Sequence, residues 1–202
     1  MMRIVFATGN PNKLIEIKEI LADIADEIVT MKQAGVNVPI DENGRTFEEN
    51  ALIKVRTVAA ALPAGEDSLV MADDSGLVVD ALDGEPGIYS ARYMGEDTSY
   101  RIKNANIIDR LSEVPDEKRT ARFVCAVACH LPDGRDLTAK GVMEGRIAWQ
   151  EMGANGFGYD PIFFLPQYGK TSAEISPEEK NAISHRGQAL RMMREKLKKE
   201  LG

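Results

Sequence analysis

Short apolar runs alternate with amphipathic stretches along the chain. Arg3 to Ala7 (RIVFA) has the length and composition of a buried strand, and Leu14, Ile17, Leu21 and Ile24 then step by three, four and three, as one face of a helix does. Between them, Asn10 and Pro11 fit an N-cap followed by proline at the first helical position. Ile28 to Met31 predicts a second short strand, and Asn43-Gly44 marks a turn in the loop that follows. Thr46 and Glu49 have capping-box spacing, with Phe47, Ala51, Val55, Val58 and Leu62 recurring behind them. A helix is therefore expected from about 46 to 62, with Asn50 and Lys54 on a separate polar face.

Leu69 to Ala72 and Leu77 to Val79 predict strands interrupted by Asp73-Asp74-Ser75-Gly76, and a loop rich in glycine and proline runs from Asp83 to Gly87. Helical spacing returns from Thr98 to Leu111. Arg119 to Leu131 and Asp136 to Glu144 flank Pro132-Asp133-Gly134-Arg135 as the strands of a hairpin. A loop from Ala154 to Pro161 leads into the apolar strand Ile162 to Leu165. Ser176, Pro177 and Glu179 then make a capped start, and Leu190, Met193, Leu197 and Leu201 form the stripe of a terminal helix. There is no internal repeat and no separating linker, so residues 1–202 are expected to form a single α/β domain with a mixed sheet.

Composition narrows the function. At 44% hydrophobic and 28% charged residues, with nine prolines, the chain is neither disordered nor fibrous. Its 25 Lys and Arg against 32 Asp and Glu give a net charge of −7, which argues against broad binding to nucleic acid or anionic membrane. Any polyanion must meet a local cationic pocket. The opening apolar run breaks at Gly9, too early for a signal peptide, and no stretch approaches the roughly 18 apolar residues of a membrane span, so a cytoplasmic protein is expected. Cys125 and Cys129 fall on one face of a strand roughly 13 Å apart, too far for a disulfide or a shared ion, and are expected to be buried thiols.

Four clusters could carry chemistry. Thr8-Gly9-Asn10-Pro11-Asn12-Lys13 is a strand-to-helix turn whose backbone N–H groups and lysine suit phosphate; as residues alone they equally fit a helix cap. Asp73-Asp74-Ser75-Gly76 is expected at a strand end, where two adjacent carboxylates suit a hard Mg²⁺ ion joined by Glu42, or simply a solvated turn. Because neighbouring strand residues point to opposite faces, at most one of the two aspartates can ligate directly. Gly156-Phe157-Gly158-Tyr159-Asp160 can lay an aromatic ring on a planar base or make a tight turn over a core aromatic. Lys180, His185 and Arg186 can donate to phosphate or to base carbonyls, or simply be packed or surface residues, while His130 fits a structural role. Together these clusters make the inventory of a nucleotide site.

TGNPNK, TFEENALIKV, ADDSGL, PGIYSARY, GFGYDPIF and EEKNAISHRGQAL, in that order over nearly the whole chain, resemble the inosine triphosphate pyrophosphatase family. The resemblance implies an elongated mixed β-sheet flanked by helices, with two lobes around a central cleft, and a homodimer. It implies Mg²⁺-dependent hydrolysis of non-standard purine nucleoside triphosphates (ITP, dITP, XTP) between the α- and β-phosphates, giving a monophosphate and pyrophosphate. By matching position, Thr8 to Lys13 would contact the triphosphate, and Asp74 would be the acidic catalytic residue and, with Glu42, a magnesium ligand. Ser75, Phe157, Gly158, Tyr159, Asp160, Lys180, His185 and Arg186 would contact substrate. Lys13 and Lys54 are candidates for a charge clamp, and Asp73 or Glu42 for assisting proton transfer. A pyrophosphatase for pyrimidine or modified nucleotides and a non-catalytic nucleotide-binding module are the competing expectations; pyrophosphate release and substrate profiling separate them.

Overall fold

The computed structural model describes residues 2–8, 11–63 and 65–201, with backbone alone at 11–13, 15 and 16. Its strands are β1 (Arg3–Phe6), β2 (Glu27–Thr30), β3 (Leu69–Val79), β4 (Thr120–His130), β5 (Asp136–Ile147), β6 (Phe163–Leu165) and β7 (Lys170–Thr171). Its helices are α1 (Pro11–Leu21), α2 (Phe47–Ala61), α3 (Tyr100–Arg110), α4 (Pro177–Ile183) and α5 (His185–Leu201). One seven-stranded sheet runs in the order β2-β1-β3-β4-β5-β6-β7. β1 is parallel to β2 and β3, whereas β6 is antiparallel to both β5 and β7, so the sheet is mixed, as expected. No helix among the described residues is long and apolar enough to cross a membrane.

The chain divides into two compact units, one of Met1–Asp74, Cys125–Gly141 and His185–Gly202, the other of Ser75–Val124 and Val142–Ser184. In the first unit, strand alternation sorts the core into two layers. Ile4, Phe6, Leu69, Met71, Cys125, Val127 and Cys129 face α1 and α5, meeting Ile17, Leu21, Leu190, Met193 and Leu197. Val5, Ala7, Val70, Ala72, Ala126 and Ala128 face the other way, against Ala51, Val55 and Val58 of α2. Each fully buried Val, Leu or Ile in these layers contributes about 1.5–3 kcal/mol. In the second unit, Leu77, Val79, Phe123, Met143, Ile147 and Phe163 pack with Ile107 and Leu111 of α3.

Several expectations need correction. Asp73 to Gly76 do not interrupt two strands: β3 is continuous from Leu69 to Val79, so the paired aspartates sit inside a strand rather than after its end. Each finds a cation on its own face, which removes the reason for the chain to leave the sheet. The terminal helix is two helices, because Ser184 is extended (φ −62, ψ 147) and its N–H closes α4 on the Lys180 carbonyl at 2.8 Å. Lys180 therefore belongs to α4, while His185 and Arg186 open α5. At Thr46 only half of the capping box forms: its hydroxyl accepts from Glu49 N–H, but the Glu49 carboxylate accepts from Arg45 N–H at 2.6 Å. β7 went unanticipated, since a two-residue strand has no period to detect. The two cysteines are free and buried, as expected, and burial pushes the Cys129 thiol up to about 12.

Candidate functional site

Strand parity decides which side chain meets which helix. Residues 70 and 72 face α2, so Asp74, next in that series, faces α2 as well. There Lys54 lies with Nζ 3.2 Å from Asp74 Oδ1 and 2.8 Å from Glu42 Oε2, and it also donates to the Asp73 carbonyl at 3.1 Å. Glu42 is thus brought to Asp74 from a loop with little sequence pattern. Burial works against the Lys54 ammonium, but Asp74, Glu42 and Asp73 outweigh it and lift its pKa above the ordinary lysine value. Burial pushes the Asp74 carboxyl up against the opposing pull of Lys54 and Asn50, and the like charge of Glu42 adds to the rise.

Residues 69 and 71 face α1 and α5, and Asp73 follows them: its Oδ2 lies 3.2 Å from Arg186 Nε, at the start of α5. Asp73 is 2% exposed and Arg186 8%, so this is a buried ion pair. Asp73 is therefore the counter-ion of Arg186, on the face of the sheet away from Asp74. His185, also buried, precedes Arg186 on α5. Thr8 is buried just past β1, whose last bonds, Ala7 N–H to the Met71 carbonyl and Thr8 N–H to the Phe6 carbonyl, are both 2.8 Å. Gly9 and Asn10 lie outside the described residues, as do the side chains of Pro11, Asn12 and Lys13, whose backbone opens α1.

The second unit holds the aromatic loop, with Ser75 half-buried on its part of β3. Phe157 is 55% exposed, so its ring is available rather than part of the core. Tyr159 is the opposite: it is buried, its hydroxyl donates to the Ser90 carbonyl at 2.7 Å, and Tyr100 meets it edge-on at 5.2 Å. The Asp160 carboxylate, also buried, accepts from Phe157 N–H at 2.8 Å, from the Ser172 hydroxyl at 2.8 Å, and from Lys180. It organises the loop and anchors the ammonium, whose nitrogen stands 5.4 Å from the Phe157 ring centre. Gly156 (φ +75) is where a side chain cannot fit, since a Cβ would lie 2.2 Å from Asp160 Oδ2.

Three polar residues in these networks escaped the sequence expectations. Ser172 carried no signal. Asn50 was visible only as a polar position beside Lys54. Asn104 donates to Glu151 Oε1 at 2.7 Å and to the Gly158 carbonyl at 3.2 Å, and its signal was an amide on the buried stripe of α3, between Lys103 and Ile107.

The sequence pattern of the Ham1 family matches residues 4–196. The dITP/XTP pyrophosphatase of Yersinia pestis is 48% identical over 202 aligned positions, covering 98% of this chain and 99% of that one. That of Exiguobacterium sibiricum is 44% identical over 201 positions, with both chains fully covered. Among solved structures, a HAM1 protein from Coxiella burnetii superimposes with a TM-score of 0.89 at 40% identity, over 98% of this chain and all of that one. With the pattern matched almost end to end and full-length relatives far above 30% identity, the chain belongs to the Ham1 family.

Proposed function

We propose that this protein hydrolyses non-standard purine nucleoside triphosphates (ITP, dITP and XTP) to the monophosphate and pyrophosphate, with Mg²⁺, as a homodimer in the cytoplasm. The observation that carries the proposal is the convergence of Asp74 and Glu42 on the single charge of Lys54. Full-length relatives named dITP/XTP pyrophosphatases support the substrate class. Two carboxylates around one cationic point suit a hard divalent ion. Among the described residues no third acidic or imidazole group completes a protein cage. Substrate phosphates and water would supply the remaining ligands, as is usual for Mg²⁺. Bound there, the ion would neutralise charge on the phosphate oxygens.

Asp74 and Glu42 would hold the ion, and Lys54 would balance the triphosphate charge that enters beside them. Thr8 to Lys13 are assigned to the phosphates. His185 and Arg186 are assigned to the purine C6 oxygen, and Phe157 to stacking on the ring. Adenine presents an amino donor at C6, so donors fixed there would stay unpaired, a mismatch that can discriminate by about 10⁴. Exposed Tyr89, Met94 and Ile102 in the second unit supply apolar surface of the kind a subunit contact covers.

Incubation with ITP, XTP, dITP, ATP and GTP plus Mg²⁺, assaying pyrophosphate and orthophosphate separately, tests the proposal. Pyrophosphate from the first three, with little product from ATP, is expected. Intact ITP overturns it, and orthophosphate release would indicate a different bond cleaved.

A further inference from the structure

We propose that Asn50 is a positioning residue that ties the Glu42 loop to Asp74 and so holds the two carboxylates at the spacing one divalent ion needs; this rests on the metal assignment above. Asn50 is fully buried on α2, one turn before Lys54. Its Oδ1 accepts from Gly44 N–H at 2.9 Å, and its Nδ2 donates to Asp74 Oδ2 at 3.1 Å. One planar amide thus joins the loop that carries Glu42 to the strand that carries Asp74. Aspartate would lack the donor, and leucine both donor and acceptor.

The two polar residues of α2 divide the work. Lys54 approaches Asp74 through Oδ1 and Asn50 through Oδ2, so both carboxylate oxygens are held and the group's rotation is fixed. The lysine supplies charge on a flexible stem, whereas the amide supplies direction. The loop is built to reach it. At Gly44 a Cβ would lie 2.7 Å from Asn50 Oδ1 and 2.8 Å from Glu49 Cβ, so the backbone approaches the amide this closely only without a side chain. Glu42 is two residues away, and displacing the loop displaces it from Lys54.

The test is Mn²⁺ binding to the full chain, followed by electron paramagnetic resonance, beside thermal melts and the Mg²⁺ dependence of turnover. Asn50→Ala and Gly44→Ala are each expected to weaken Mn²⁺ binding about 10–100-fold and to raise the Mg²⁺ concentration needed for half-activity by a like factor, as losses behind metal ligands do. KM for ITP at saturating Mg²⁺ should stay near wild type. A purely structural role would lower the melting temperature without moving Mn²⁺ affinity. Folded Asn50→Ala at wild-type Mn²⁺ affinity, with Asp74→Asn binding none, overturns the role of Asn50. Wild-type affinity in Asp74→Asn overturns the metal assignment itself. If Asn50→Ala does not fold, Gly44→Ala decides by the same criterion.

Discussion

Two neighbouring aspartates on one strand have different partners because they face different helices. Asp74→Asn removes the charge that would grip the divalent ion while keeping the volume and an acceptor. We expect turnover to vanish and triphosphate binding to remain measurable by calorimetry; near-normal kcat would refute the assignment. Arg186 is harder to test alone, because Arg186→Ala also removes a charge partner of the buried Asp73 carboxylate, and breaking a buried pair costs about 3–5 kcal/mol. The double variant Asp73→Asn with Arg186→Ala removes both charges and should recover part of that stability. If Arg186 reads the purine, the ITP-to-ATP ratio of kcat/KM narrows in both variants. An unchanged ratio in the more stable double variant removes Arg186 from base recognition.

At the scale of elements, α3 acts on the aromatic loop through Asn104 and Tyr100. Asn104 clamps the Gly158 carbonyl, the Tyr100 ring meets Tyr159, and the buried Lys103 ammonium caps the Ala91 carbonyl at 2.6 Å. Asn104→Leu keeps the shape and loses the clamp. KM for ITP should rise about tenfold, the equivalent of one hydrogen bond worth about 1.4 kcal/mol, with kcat little changed; an unchanged KM would detach α3 from the loop's function. Periodicity made α2 and α3 legible, because each buries a regular stripe, and the β4–β5 hairpin showed as a long apolar run, buried without alternation from Phe123 to Cys129, before a Pro/Gly turn. It misplaced the DDSG segment, since two acids in a row mimic a turn unless their cations, 20 and 113 residues away in sequence, are known. It also merged α4 with α5, because a serine cap such as Ser184 leaves the apolar spacing on both sides intact. The site's residue types were visible as motifs, but Asn50 and Asn104 act through partners that only the fold brings near.

For the whole molecule, the carboxylates that folding holds in their charged form, Asp80 and Asp136 among them, make stability depend on pH with a definite sign. In the second unit, hydrogen bonds from Arg122 and then Thr120 hold the Asp80 carboxyl below its ordinary value of 3.8. In the first unit, burial works to raise Asp136, but its bonds with His130, 2.7 Å away, and with Arg56 outweigh it and leave that carboxyl lowered too. A carboxyl whose folded pKa is depressed contributes stability that is complete above its unfolded value and is lost as pH falls through the folded one. The melting temperature should therefore be level from neutral pH down to about 5 and fall progressively below about 4. Asp80→Asn and Asp136→Asn should each lower the neutral plateau and flatten the acid slope, because the variant lacks a group that takes up a proton on unfolding in acid. Melts recorded from pH 7 to pH 3 on the three proteins give the comparison. An acid slope as steep in both variants as in the parent would mean that other carboxylates, such as Asp23 beside Arg194 and Lys198, set the acid limit instead.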